Sequence, residues 1–357
     1  MWSAQHARRR GTTGERAQER GGKTVKAPLP YPLLIIALAA LMALLAFMSM
    51  LVGPATAGTF ELFDMMSHGK ADTAWMIMRE VRFPRTALAM LVGMTLGMAG
   101  AALQGFLRNP LADPGVIGVS PAASLGAVLA LYTGLSTVMP LALPLMGILG
   151  ALLCALILQG LARRGGVLTL VLAGVAVSSL CAALMSMALN LSPNPYAAAE
   201  IMFWLMGSVT DRSMDHLLLA GPLMLIGWIM LGLSARSLDV LSLGEEAAAG
   251  LGLNISRTRT LVITGTAISV GAGTAVTGGI GFIGLVVPHL LRPLVGHAPS
   301  RLLLASALGG GALLLAADIL VRVLMLGSEL KLGVLTALIG APFFLWLIFR
   351  ARTELES

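Results

Sequence analysis

Charge is scarce in this chain. Asp, Glu, Lys and Arg make up 11% of its 357 residues while apolar residues make up 57%, against about 25% charge in a soluble domain. That balance excludes a water-soluble fold and marks an integral membrane protein. The alternation of apolar and polar residues that a β-barrel needs is missing as well. Backbone N–H and C=O groups in lipid must then be satisfied inside helices, and the uncharged stretches leave no room for a sizeable soluble domain. The fold class is therefore all-α integral membrane.

Cysteine is nearly absent too. Cys154 and Cys181 both fall in apolar stretches, where a thiol behaves as a small hydrophobe, so neither a disulfide framework nor a metal-ligand spacing follows. The 21 Met residues form no Met-x-x-Met cluster with His or Cys, and packing accounts for them. No Gly-x-x-x-x-Gly-Lys-Ser/Thr phosphate loop occurs. If the chain serves a pump, ATP and Mg are bound by a separate ATPase subunit, and the chain is neither an enzyme nor a cofactor carrier. A succession of intramembrane carboxylates suited to proton coupling is missing. Met1 to Pro30 is polar and rich in Gly and Arg, without the apolar core of a secretory signal, and reads as a disordered cytosolic tail, residues 1–30. The formal charge of +7 would suggest nucleic acid in a soluble chain, but these basic residues sit in termini and loops, where membrane orientation explains them. No nucleic-acid partner is expected.

What the chain does contain is a succession of apolar runs. Windows of about nineteen residues give ten spans near 31–53, 85–107, 115–134, 141–161, 167–191, 215–234, 260–278, 281–296, 302–325 and 332–350, with 353–357 as a C-terminal tail. An even number places both termini on one side. Arg8, Arg9, Arg10, Lys23 and Lys26, followed by Arg108, Arg163, Arg164, Arg236, Arg257, Arg259 and Arg301, then fall on the side of the N-terminus. Fewer basic residues, among them Lys70, Arg79, Arg82, Arg85, Arg212, Arg322 and Lys331, fall opposite. Lys and Arg favour the cytoplasmic face, so both termini are expected in the cytoplasm.

Two connecting segments exceed a simple turn. The outer one, 53–82, carries the amphipathic run Phe60-Glu61-Leu62-Phe63-Asp64-Met65-Met66. The inner one, 234–259, contains Ser242-Leu243-Gly244-Glu245, which has capping-box spacing. Ala247-Ala248-Ala249 follows, with Gly250 and Gly252 placed to end a helix. A short surface helix presenting Glu245 and Glu246 to the cytoplasm is expected.

Charged and polar residues at the span ends are the candidate functional groups. Arg82 and Arg85 stand three apart, with Pro84 suited to a first helical turn. They are either interfacial anchors or a docking pair for carboxylates of an external partner, which a guanidinium fork can bind bidentately. Arg322 lies four residues after Asp318; an ion pair one helical turn apart and a docking role are both open. Asp318 itself reads as a buried hydrogen-bonding residue. In the run Leu107-Arg108-Asn109-Pro110-Leu111-Ala112-Asp113-Pro114-Gly115, Asp113 and Pro114 suit the cap and first position of the third span, while Asn109 stays open. His289 and Arg292 follow Pro288 in a short span preceded by Gly278-Gly279-Ile280-Gly281. Interrupted helices of this kind border pathways in transporters.

These residues form recognisable motifs. Arg82-Phe83-Pro84-Arg85-Thr86, Gln104-Gly105-Phe106-Leu107-Arg108-Asn109-Pro110-Leu111-Ala112-Asp113-Pro114-Gly115, Gly281-Phe282-Ile283-Gly284-Leu285-Val286-Val287-Pro288-His289, and Gly333-Val334-Leu335-Thr336 with Gly340-Ala341-Pro342 occur in that order, with Leu251-Gly252 as a fifth element. Over residues 31–352 the chain resembles the permease subunits of type II ATP-binding-cassette importers for iron complexes and cobalamin. The resemblance implies ten transmembrane helices per subunit, a dimer (here a homodimer) around a central path, two cytoplasmic ATPases and a periplasmic binding protein. It implies import of a ferric siderophore, haem or cobalamin. A secondary carrier or channel acting without ATP is the alternative. By position, the resemblance makes Arg82, Arg85 and Arg322 the docking arginines and sets Asn109 and Leu111 at the cytoplasmic gate. It gives Leu238, Ser242, Glu245, Glu246, Gly250, Leu251 and Gly252, within 238–253, to the coupling helices that contact the ATPase. Two departures stand out: Lys331 follows Glu329-Leu330 where the family has Pro, and the run Arg164-Gly165-Gly166-Val167-Leu168-Thr169 has few small hydroxyls.

Overall fold

A computed structural model describes residues 30–53, 71–139, 141–162, 166–324 and 330–356. The tail 1–29 and the amphipathic run at 60–66 lie outside these residues, as do Arg163, Arg164 and Glu329. Among the described residues the regular structure is helical: α1 (Tyr31–Leu51), α2 (Ala71–Ile77, then Met78–Arg82 and Phe83–Leu107), α3 (Val119–Tyr132), α4 (Ala142–Ala162), α5 (Val167–Asn190), α6 (Pro195–Leu205), α7 (Met214–Leu241), α8 (Glu245–Gly250), α9 (Ile255–Thr277), α10 (Ile283–Leu291), α11 (Pro299–Val323) and α12 (Leu332–Glu356). Among the described residues seven helices are long and apolar enough to cross a membrane, and Val119–Tyr132, Ile283–Val295 and Leu332–Trp346 are shorter apolar helices at the remaining expected spans.

The centre of the bundle is α2, which packs most extensively against α11 and also meets α1, α7, α9 and α10. Its glycines make that possible. A Cβ on Gly97 would fall inside the Ser306 carbonyl oxygen of α11, and one on Gly100 inside the Gly284 carbonyl of α10. Small residues at such crossings let helix backbones approach closely where lipid supplies no hydrophobic drive. Buried leucines fill the spaces between, including Leu88 and Leu103 of α2 and Leu314 and Leu315 of α11.

By contrast, α1 is largely unburied and exposes Leu33, Ile36, Leu41, Leu44 and Phe47, the composition of a lipid-facing helix. Its ends are fastened instead. Tyr31 donates to the Arg301 carbonyl at 3.3 Å with the Arg301 guanidinium 5.4 Å from its ring centroid. At the other end two arginines bond the last carbonyls, as described below.

Three local expectations need correction. Pro84 does not start a helix: the chain is already helical from Ala71 and passes through a π turn at Met78–Arg82, where the Phe83 N–H donates to Met78 O. A proline nitrogen has no hydrogen to continue the α ladder, and the wider turn carries the helix past it. Asp113 does not cap the third span, which begins later, at Val119 after Gly118 at φ 92°; its Oδ1 accepts from the Gly115 N–H at 2.8 Å and shapes the turn instead. Finally, α7 extends to Leu241, so part of the expected inner loop is helix. The helix α6 was not anticipated, although Asn194-Pro195 signals its start: Asn194 Oδ1 accepts from the Ala197 N–H at 2.9 Å and proline takes the first turn.

Candidate functional site

The candidate residues fall at opposite ends of α2. At the Arg82 end, Arg82 donates from Nη1 to the carbonyls of Met50 and Leu51, each at 2.8 Å. Arg322 of α11 donates to the carbonyls of Ser49 and Val52 at 2.7 Å and to Ser49 Oγ at 2.8 Å. These carbonyls belong to the last turn of α1, the negative end of its dipole, so the guanidinium groups serve as its C-terminal cap. Arg85 holds Asp318 with both Nε and Nη2, at 3.1 and 2.8 Å to Oδ1, and Arg322 takes the other carboxylate oxygen. Ser49 Oγ and Thr86 Oγ1 lie 2.8 Å apart and close the cluster.

Side-chain accessibility decides what this cluster can do. Arg82, Arg85 and Arg322 are 3%, 8% and 5% exposed and Asp318 1%. In this conformation the three arginines expected to dock an outside partner lie beneath the surface and tie α1, α2 and α11 together. Of the two readings left open for Arg322, the ion pair with Asp318 is realised, and Asp318 is the buried hydrogen-bonding residue expected. Its second guanidinium partner, Arg85, is 233 residues away, and no local spacing signals that.

The Asn109 end is open. Arg108 closes α2 in the left-handed region at φ 49°, and the Asn109 N–H returns to Gln104 O at 3.2 Å. Asn109 Oδ1 accepts from the Leu111 N–H at 2.9 Å, so its side chain shapes the turn. Asn109 is exposed and Leu111 is 40% exposed. Asp113 lies half-buried beside Gly284. Burial pushes its carboxyl upward from the usual range, and the Gly115 N–H opposes that shift. Ser178 Oγ on α5 donates to the Gly115 carbonyl at 3.3 Å. Below the turn, Gln104 joins two helices: its amide donates to Gly284 O at 3.2 Å and its oxygen accepts from Arg292 Nη2 at 2.5 Å. The sequence placed Gln104 in a motif without this role.

Beside this turn stands α8. Its N-cap is Gly244, with no side-chain cap, so the capping box is corrected: Ser242 is the C-cap of α7 and its hydroxyl donates to the Asp239 carbonyl at 2.6 Å. Leu238 is corrected likewise, being inside α7 and fully buried. After α7 ends at Leu241, one short helix, not several, lies in the rest of 238–253. Its end is as expected: α8 stops at Gly250, and Gly252 at φ 80° donates to Ala249 O. The outward surface holds Glu246, Gly250 and two leucines, Leu243 at 66% and Leu251 at 68% exposed. The sequence reading had not singled out Leu243.

His289 packs edge-on to Phe343, with centroids 6.3 Å apart, and among the described residues no group of three His, Cys, Asp or Glu side chains is placed to hold a metal.

An all-helical bundle with a buried polar cluster at one end, an open turn beside a surface helix at the other, and apolar helices between is the architecture of a multi-pass membrane protein, and its likeness to known proteins makes it a transport permease. Residues 41–350 match the FecCD transport family, and the chain belongs to that family. It is 40% identical over 294 residues to the hemin transport system permease protein HmuU of Yersinia pestis, covering 79% of this chain and 86% of that protein. It is 41% identical over 277 residues to the Fe(3+) dicitrate transport system permease protein FecD of Escherichia coli K12, covering 77% and 86%. Identity to the vitamin B12 import system permease protein BtuC of Klebsiella pneumoniae is 40% over 276 residues, covering 76% and 82%. A solved structure of an ABC transporter assigned to the metal-chelate type, in an inward-facing conformation, superposes with a TM-score of 0.80 at 31% identity, covering 90% of this chain and 100% of that one. The chain is a permease subunit of an ABC transporter.

Proposed function

We propose that this chain is the permease of an ATP-driven importer that moves an iron chelate (a ferric siderophore or haem) or cobalamin from periplasm to cytoplasm. The observation that carries the reading is identity near 40% over most of the chain to permeases named for hemin, ferric dicitrate and vitamin B12. Two copies would form the pathway as a homodimer, with two cytoplasmic ATPases and one periplasmic binding protein. The chain would lie in a bacterial inner membrane with both termini inside, which puts the Arg82 end of α2 at the periplasm and the Asn109 end at the cytoplasm. Asn109 and Leu111 then serve as the gate. The ATPase contact falls on α8 and its flanks, with Ser242, Glu245, Glu246, Gly250, Leu251 and Gly252 on or near the surface and Leu238 as buried support. The binding protein docks at the Arg82 end. There Arg82, Arg85 and Arg322 tie α1, α2 and α11 together, and a partner carboxylate reaches them only if their present bonds open.

The test is reconstitution in liposomes with the cognate ATPase and binding protein, offering hemin, ferric dicitrate and cyanocobalamin in turn. Uptake of one of them that requires ATP and the binding protein is expected. Uptake by this chain alone, driven by an ion gradient, would overturn the reading in favour of a secondary carrier or channel.

A further inference from the structure

The exposed turn and the surface helix at the Asn109 end are joined by side chains from distant parts of the chain. Gly105, in the last turn of α2, faces Leu238 of α7 and Pro299 of α11; a Cβ there would sit 3.5 Å from Pro299 and 3.6 Å from Leu238. Asp239 Oδ1 accepts the Ser300 N–H at 2.8 Å and fixes the end of α7 to the start of α11. The base on which α8 stands therefore packs on the helix that ends in the gate turn. Above that base an ion pair spans the gap. The Arg108 guanidinium lies 3.9 Å from the Glu245 carboxylate, and it is the group nearest the space a side chain on Gly244 would enter, at 3.8 Å. Gly244 holds φ 109°, a conformation that suits glycine. It brings α8 back toward Arg108 immediately after α7 ends.

We infer that the Arg108–Glu245 pair transmits displacement of the ATPase-contacting surface to the gate, and that both are positioning residues for Asn109 and Leu111. The inference rests on the gate and ATPase-contact readings proposed above. Arg108 is the left-handed residue that ends α2, and Asn109 follows it directly. A pull on its side chain therefore acts at the joint between a rigid helix and the turn. Upstream, Gln104 is held by Arg292 and Gly284, so motion at Arg108 passes into the turn, not back into the bundle. The side chains of Arg108 and Glu245 are 46% and 39% exposed, and an exposed pair changes an equilibrium by about two- to fivefold. That is enough to bias a gate whose states are close in energy and too little to lock it.

The experiment uses the permease with its ATPase and binding protein in lipid nanodiscs, carrying Leu111→Cys as a reporter. Cys154 and Cys181 are buried, so a membrane-impermeant maleimide reads the reporter. Labelling is timed without nucleotide and with ATP plus vanadate. With the native pair the nucleotide should change the labelling rate. Arg108→Glu or Glu245→Arg should shrink that change by about two- to fivefold, and the two together should restore it. ATPase co-purification is followed in each variant. Single variants that keep the full change, or a swapped pair that binds ATPase without restoring it, overturn the inference. No nucleotide response with the native pair, while ATP is hydrolysed, overturns the gate reading and the inference with it. Failure of the unmodified chain to bind any ATPase overturns the proposed function itself.

Discussion

At the Arg82 end of α2 two arginines share one aspartate, and one of these together with a third holds the carbonyls of a helix terminus, all of them nearly inaccessible to solvent. At the Asn109 end the same helix finishes in an exposed turn, and its nearest ion pair is 3.9 Å long and about half open to water. The two ends carry similar residue types in similar motifs, yet one is a fastening and the other a contact. Burial makes the difference. A guanidinium taken out of water must be paired and hydrogen-bonded to be tolerated, so Arg85 and Arg322 bind Asp318 from two sides. An exposed guanidinium keeps its hydration and is free to change partners. On the function proposed above, that asymmetry gives α2 a fixed reference at one end and leaves the other free to respond to an ATPase.

Removing the shared carboxylate is the strongest way to break the contrast. Asp318→Ala leaves two buried cations without their counter-ion, and breaking one side of a buried pair costs about 3–5 kcal/mol. Thermal unfolding of the detergent-solubilised permease should show a large loss of stability. A melting point equal to that of the native chain would mean that the fastening is not structural. A smaller loss is expected for Arg85→Lys, which keeps the charge but gives up the two-pronged grip on Asp318. Hydrogen bonds to charged groups contribute about 1.5–3 kcal/mol, and a drop in that range in the same assay separates geometry from charge. No drop would show that any cation suffices.

The contrast between the ends also marks what could be read in the sequence. The spans were legible, because hydrocarbon demands about twenty apolar residues in a row and the helices lie close to the expected windows. The stop at Gly250 was legible for a similar reason: a positive φ two residues on, at Gly252, asks for glycine. Where local rules competed, the chain chose differently. Pro84 fits a helix start, yet a π turn absorbs it. Ser242 has the spacing of a cap, yet α7 runs up to it and it serves as a C-cap instead. The Arg322–Asp318 pair could be read from its four-residue spacing, but the partners of Arg82 and Arg85 could not. Arg82 finds its acceptors 31 and 32 residues away, and Arg85 finds Asp318 at 233. Whether a cation at a span end faces water or a neighbouring helix is decided by the bundle, not by the run of residues around it. The same holds for Gln104 and Arg292, 188 residues apart.

Salt sharpens the comparison at its weakest point. Screening acts on charges that water reaches and much less on buried pairs, and at 1 M the Debye length is only about 3 Å. A double-mutant cycle on unfolding stability with Arg108→Ala and Glu245→Ala should give a coupling below about 1 kcal/mol at low salt, falling toward zero at 1 M. The corresponding cycle on Arg85 and Asp318 should keep most of its coupling across that range, because both side chains lie within the bundle, 10% and 1% exposed. If the Arg108 cycle resisted salt, its pair would have to be shielded, as it would be if α8 were covered. Adding the ATPase is then the natural control, since a partner seated on Leu243, Glu246 and Leu251 would exclude water from the neighbouring carboxylate of Glu245. The coupling should rise when the ATPase binds, and that rise would show the loose end of α2 being turned into a fastened one by its partner.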